Sequence, residues 1–276
     1  MQKVRERRGF LKQASATGLA AAVSLAAKPA AGEQLEPRPL VVGVMGLMRG
    51  RALVRQFAAQ PNVEVRYVCD ADQLRVDACR AALREADQPD AQGVQDFRRI
   101  LDDEQVDALI CAAPNHWHAP ATILACHAGK HVYVEKPCSH NPWEGEAMVK
   151  VSRQQDRIVQ FGTQRRSSHG TRLAIERLHA GRIGRVYMAR AWYNSLRGSI
   201  GHGKPAAVPA TLDYELWQGP APRREYLDNL VHYNWHWRWH WGNGELGNNG
   251  VHTLDLCRWG LGVTYPTRVV STGGRY

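Results

Sequence analysis

Three short stretches carry side chains suited to moving a proton and orienting a hydroxyl group. The first is Val132-Tyr133-Val134-Glu135-Lys136-Pro137, a β-forming run that ends in a carboxylate, an amine and a proline unable to continue a central strand. Open α/β sheets place their ligands at the carboxyl ends of parallel strands, where this charged pair would stand. A lysine there can exchange a proton with a substrate hydroxyl if burial lowers its pKa. The Lys136–Pro137 bond is also a candidate for the cis form. The second stretch, residues 247–260, reads as a helix with glycines at both ends. At helical spacing Asn248, His252 and Asp255 fall within a stripe of about 60°. The third is the run 63–70, which ends in Asp70. An acid at that point accepts hydrogen bonds from both ribose hydroxyls and repels a 2′-phosphate, favouring NAD over NADP. Each stretch has a plainer counterpart: a chance tripeptide, a solvated helix face, an ordinary strand end.

A fourth stretch is rich in aromatics. Trp235, Trp237, Trp239 and Trp241 alternate with His236, Arg238 and His240. If extended, one face is indole and the other cationic or polar. Indoles stack on the C–H faces of sugars while Arg238 reaches hydroxyls or carboxylates, which describes a carbohydrate cleft. An amphipathic segment packed on the core explains most of the tryptophans equally well. A third arrangement, a helix carrying His232, His236 and His240 as metal ligands, conflicts with the bulky indoles around it. No metal is expected.

The elements that must hold these groups alternate. A Pro-containing linker at 37–39 precedes an apolar run at 40–46, which ends in the turn Gly46-Leu47-Met48-Arg49-Gly50 and a helix at 51–60. Strand 63–70, helix 72–86, helix 97–102 and strand 106–112 follow, the last running into Pro114-Asn115-His116-Trp117-His118. Helix 119–128 then feeds the strand of Glu135 and Lys136, and a helix at 143–156 leads to a strand at 158–164. Strand–helix alternation predicts βαβ units and a parallel sheet. The first turn should cradle a dinucleotide, although Met48 stands where the usual G-x-G-x-x-G pattern has its middle glycine. The alternation weakens near 165, which divides the chain into domains at 38–165 and 166–276. In the second, a helix at 169–180, a strand at 186–193 and a Gly/Pro-rich loop at 195–209 precede the aromatic run.

Composition narrows the classes further. The net charge of +10 resembles a nucleic-acid signal, but residues 1–32 carry half of it: Lys3, Arg5, Arg7, Arg8, Lys12 and Lys28 against Glu6. The remainder is spread thinly, so no nucleic-acid partner is expected. Residues 1–32 match a twin-arginine export signal, with Arg7-Arg8-Gly9-Phe10-Leu11-Lys12 before a mildly apolar, alanine-rich stretch. Its implied partner is the twin-arginine export machinery, its destination the periplasm or another exported location, and no stable membrane insertion follows processing. Six cysteines have no metal or CxxC spacing. A chain folded before export builds its core under reducing conditions, so no disulfide framework is expected.

Taken in order, Pro114-Asn115-His116-Trp117-His118, Glu135-Lys136-Pro137, Gly162-Thr163-Gln164 and Gly250-x-His252-x-x-Asp255 resemble the Gfo/Idh/MocA oxidoreductases. The resemblance runs from residue 40 to the end. It implies an α/β fold: a Rossmann dinucleotide-binding domain followed by an α/β domain with an open, mainly antiparallel sheet, often used in homo-oligomers. It makes Lys136 and His252 the catalytic candidates, with Asn248 where the family commonly carries aspartate. Asparagine orients a hydroxyl but lends no charge to a protonated His252. Carried-over cofactor contacts are Gly46, Met48, Arg49, Gly50, Asp70, Pro114, Asn115, His118, Glu135, Lys136, Pro137 and Gln164. Candidate substrate contacts are Tyr193, Arg238 and Asp255. Family members usually continue well past Gly273, so part of the second sheet is expected to be missing. The implied activity is NAD-dependent oxidation of a sugar or polyol hydroxyl. Two alternatives stand beside it: a sugar hydrolase or lyase that oxidises transiently and recycles its NAD, and a non-catalytic sugar- or nucleotide-binding protein.

Overall fold

Strand β1 (Leu40–Met45) is buried along nearly its whole length, with one face on each of two apolar layers. Val41 and Met45 point to one layer, Val42 and Val44 to the other, which is why the run is continuously apolar rather than alternating. Each such side chain contributes about 1.5–3 kcal/mol when fully buried. The computed structural model describes residues 38–194 and 197–273. The segment at 1–32, read above as an export signal, lies outside the described residues.

Five further strands join β1: β2 (Val63–Cys69), β3 (Gln92–Val94), β4 (Ala108–Cys111), β5 (His131–Glu135) and β6 (Val159–Gly162). All pair in parallel, in the order β3-β2-β1-β4-β5-β6. This is the doubly wound order of a Rossmann sheet, and the chain reverses direction across it between β1 and β4. Helices α1 (Gly50–Ala58) and α2 (Gln73–Glu85) cover one face. Helices α3 (Arg98–Asp102), α4 (Asn115–His127) and α5 (Pro142–Gln154) cover the other. The Asp72 carboxylate caps α2, and Asn141 with Pro142 starts α5 in the usual way. Cys69 and Cys111 are buried free thiols in the strands, and burial pushes Cys111 up to about 12.

Beyond the sheet, α6 (His169–His179) and α8 (Val251–Leu261) pack on each other, and α7 (Tyr214–Gln218) stands in a separate small core. That core gathers Leu212, Tyr214, Trp217, Tyr226, Leu230, Trp235 and Trp241. No sheet forms among the described residues after Gly162. The strand expected at 186–193 runs without a ladder partner, its Tyr187 and Trp192 exposed, because a strand exists only where a neighbour takes its hydrogen bonds. The aromatic run is likewise not extended. Asn234–Trp237 is a 3₁₀ turn, so the indoles share no face: Trp235 and Trp241 are buried while Trp239 is 90% exposed. No described helix is long and apolar enough to cross a membrane.

Two glycines with positive φ separate conformational strain from collision. Gly46 (φ 88°) follows β1, and a Cβ there would lie 2.5 Å from the Ala112 backbone. Gly129 (φ 76°) follows α4 and faces open space. Gly129→Ala should therefore cost about 1 kcal/mol of strain, and Gly46→Ala at least about 2 kcal/mol more. Urea unfolding of both variants checks this; equal losses would mean that the β1–α1 turn is not pressed against β4.

Candidate active site

The carboxyl ends of β1, β2, β4 and β5 open onto one cavity of about 360 Å³. Gly46, Met48 and Arg49 of the β1–α1 turn line it, with Asp70 beyond β2, Pro114, Asn115 and His118 beyond β4, and Glu135 and Lys136 at β5. Asp70 lies at the wall. One of its oxygens accepts the Leu47 N–H at 2.7 Å and the other the Asp72 N–H at 3.0 Å, so the carboxylate clamps the glycine turn. Burial raises its pKa against the pull of those two bonds. Each oxygen keeps a lone pair for a ribose hydroxyl. His118 joins two strand ends, its ring nitrogens 2.7 Å from the Ala113 carbonyl oxygen and 2.5 Å from that of Pro137. The Lys136–Pro137 bond is cis.

Lys136 Nζ donates to the backbone oxygen of Asn248 at 2.6 Å and to its amide oxygen at 3.0 Å. Burial lowers the lysine's pKa; Glu135 opposes that shift and Arg49 adds to it. Glu135 is buried, accepts from Arg49 Nε at 3.0 Å and takes the Lys136 N–H at 3.2 Å. Asn248 sits in a π turn (Leu246–Gly250) that leads into α8. The 3.6-residue period that aligned Asn248 with His252 does not hold across that turn, and Asn248 bonds Lys136. His252, expected as a catalytic residue, is buried behind Asn248 and does not line the cavity, and its Nδ1 lacks a partner among the described residues. Its pKa is lowered first by burial and next by the Lys136 charge, which keeps the ring neutral near pH 7.

Several expected contacts stand outside the cavity. Both Asp255 oxygens are taken by Arg166, at 2.7 Å each, so a substrate would have to break a bidentate ion pair to reach them. Arg238 donates to Asn229, and Tyr193 and Gln164 are exposed away from the cavity. Gly50 is buried as the first residue of α1, against Val44, while Pro137 faces a second, more apolar hollow. The roof of the cavity is made by residues for which the sequence suggests other roles or none: Leu216 and Trp217 of α7, then His232, Tyr233, Trp235 and His236. His232 is held by Asp72 at 2.8 Å, Trp235 stacks on His236, and Trp117 Nε1 donates to the Leu216 carbonyl at 3.1 Å. The helix-start signal at Asp213 was there to find α7. Nothing local shows that it covers the sheet edge. Among the described residues no three His, Cys, Asp or Glu side chains converge as a metal site.

Residues 38–163 match the Gfo/Idh/MocA oxidoreductases over their NAD-binding Rossmann fold, and residues 190–271 match the C-terminal alpha/beta domain of the same family. The chain belongs to the Gfo/Idh/MocA family. Among curated relatives, a glycosyl hydrolase family 109 protein of Saccharopolyspora erythraea is 31% identical over 56% of this chain and 35% of its own length. A levoglucosan dehydrogenase of Pseudarthrobacter phenanthrenivorans is 26% identical over 60% of this chain and 36% of its own. The matched stretch thus spans about a third of each relative. The fold is shared with the WlbA dehydrogenase from Bordetella pertussis in complex with NADH and UDP-GlcNAcA (TM-score 0.59, 22% identity, 81% of this chain, 55% of that one). It is also shared with GenD2 from gentamicin A biosynthesis in complex with NAD (TM-score 0.59, 21% identity, 82% and 54%). The cavity fits the family's cofactor: a tight glycine turn at a helix start, an acid with free lone pairs after β2, and a lysine after β5.

The contact between Asn248 and Lys136 makes a directional prediction. Asn248→Asp places a carboxylate where the amide oxygen now meets the ammonium, and an opposite charge favours the protonated amine. The Lys136 pKa should rise toward its ordinary value. Titration of ¹³C-methylated lysines by NMR reads this directly. An unmoved Lys136 resonance would show that residue 248 does not face the amine.

Proposed function

We propose that this member of the Gfo/Idh/MocA family is an exported NAD-dependent oxidoreductase acting on a hydroxyl group of a sugar or polyol. The observation that carries it is Lys136, a lysine of lowered pKa held by Asn248 at the edge of an NAD-binding sheet. When bound, NAD supplies the two-electron acceptor for the carbon that bears the hydroxyl. Gly46, Arg49 and Asp70 would hold its adenosine diphosphate half, and Glu135 and Lys136 the half nearer the chemistry. Two of the three Lys136 N–H bonds go to Asn248 and leave the third for the substrate hydroxyl. In its neutral form the amine takes that hydroxyl's proton at Nζ. The roof over the cavity limits water at this point, which strengthens each charge–dipole contact inside.

A second reading, glycoside hydrolysis through transient oxidation with the same NAD restored in each turnover, is favoured by the glycosyl hydrolase family 109 relative. Mass spectrometry of the denatured protein for released dinucleotide tests the cofactor. Accumulation of NADH from sugars or polyols supports net oxidation, whereas glycoside cleavage without NADH supports the second reading. Lys136→Met should lower kcat by about a hundredfold or more with the protein still folded. Unchanged turnover would remove the lysine from the chemistry. Export rests on Arg7 and Arg8. Replacing both by lysine should leave the protein in the cytoplasmic fraction, and undiminished export would overturn the signal assignment.

A further inference from the structure

The roof carries one side chain whose hydrogen-bonding capacity is only half spent. His236 lines the same cavity as Lys136 and Asn248. Its Nδ1 stands 2.6 Å from the Tyr233 carbonyl oxygen. A carbonyl has no proton to give, so in the neutral ring Nδ1 bears the hydrogen and Nε2 keeps a lone pair. Nε2 meets no partner among the described residues, whereas Nδ1 does.

The ring is held in place by its neighbours. It stacks on Trp235 with centroids 3.6 Å apart, and the rings of Tyr233 and Trp237 lie at 4.8 and 5.6 Å. Other polar groups of this segment are committed elsewhere. His232 Nε2 meets Asp72, Trp235 Nε1 donates to the His232 carbonyl oxygen, and the Tyr233 hydroxyl accepts from Arg197. His236 is not needed as a fastener either, since His232 and Trp117 tie the roof down. Burial lowers its pKa first; the Tyr233 carbonyl and Glu245 oppose that shift, and Lys136 and Arg197 add to it. The ring is therefore neutral near pH 7, and its open nitrogen is an acceptor.

The amine of Lys136 keeps one N–H for a hydroxyl, so sheet edge and roof each offer one hydroxyl contact. A ligand with a single hydroxyl leaves one of the two unmet in a partly dry site, which is costly. Resting on the oxidoreductase reading given above, we propose that His236 is a specificity-determining residue. Its Nε2 accepts a hydrogen bond from a second hydroxyl of the sugar or polyol while Lys136 holds the reacting one. The cavity thereby selects polyhydroxylated substrates over simple alcohols. His236 moves no proton in this role; it holds the substrate.

Myo-inositol and cyclohexanol are the probes, the same carbon ring hydroxylated at every carbon or at only one. Calorimetry on the NAD-loaded wild-type protein should show myo-inositol binding more tightly. His236→Phe keeps an aromatic ring in the stack and removes Nε2. It should weaken myo-inositol about tenfold while cyclohexanol and NAD each stay within about twofold. Undiminished myo-inositol affinity in that variant overturns the assignment, as does an equal loss of both ring alcohols or a wild type that prefers cyclohexanol. Should His236→Phe fail to fold, or neither ring alcohol bind the wild type, NMR of ¹⁵N-histidine-labelled protein decides, with His236 identified by its loss in His236→Gln. A neutral ring protonated on Nδ1, with a pKa that rises in Lys136→Met as a positive neighbour is removed, agrees with the proposal. A proton on Nε2, or an unmoved pKa, refutes it. A wild-type protein that binds no NAD removes the oxidoreductase reading and this proposal with it, whereas failure of the His236 variants alone leaves NAD binding intact.

Discussion

A half-buried ammonium must find acceptors, and Lys136 finds two oxygens of one residue, Asn248, 112 positions further along the chain. Leaving such a group unpaired away from water is costly, so the end of β5 and the turn before α8 are held to each other. The rest of the site follows from that attachment. The π turn is aimed at the lysine, α8 begins directly behind it, and His252 enters the interior beside the lysine charge. The roof is fastened separately, by His232 on Asp72 and by Trp117 on the end of α7. Sheet edge and roof thereby form one cavity wall rather than two surfaces that happen to be near.

Three groups on that wall and one behind it set the electrostatics of the site. Arg49 and Lys136 flank a buried carboxylate, and the imidazole of His252 lies close enough for the lysine charge to disfavour its protonation. An excess of positive charge in a partly dry site favours neutral amine and neutral imidazole, the forms able to accept a proton. Asparagine at 248 preserves that bias, because it supplies acceptors without a compensating negative charge. An aspartate in the same place would hold the amine more strongly and make it a weaker proton acceptor near neutral pH. The departure from the family's common residue thus has a chemical consequence at Lys136 rather than at His252.

Much of the fold was legible because periodicity and turn chemistry report local burial. The alternation of apolar strands and amphipathic helices, the Gly46 turn and the acid at 70 all belong to single βα units, whose residues are neighbours in sequence. The dinucleotide-binding half therefore stands close to its expected elements. The aromatic run was misleading for the opposite reason. Four alternating tryptophans satisfy a two-residue period, yet the indoles were placed by what lay nearby in space: Trp235 and Trp241 by the α7 core, Trp237 by Tyr233, while Trp239 stays almost fully exposed. Asp255 and Arg238, expected as substrate contacts, stand instead with an ion or amide partner that no spacing rule foretells.

By itself, then, the sequence determined the alternation of strand and helix and the family, and it singled out Lys136 as the group around which chemistry is expected to centre. It did so because strand propensity, a proline stop and a charged pair are properties of adjacent residues. Only the tertiary structure decided which face of the lysine is occupied, which residues roof the cavity, and that Arg49 reaches across to Glu135. Those outcomes are contacts between positions 86 to 160 residues apart. They depend on the strand order and on how the later segments fold over the sheet, and no local pattern encodes the distance between two side chains that meet only when the backbone between them has closed.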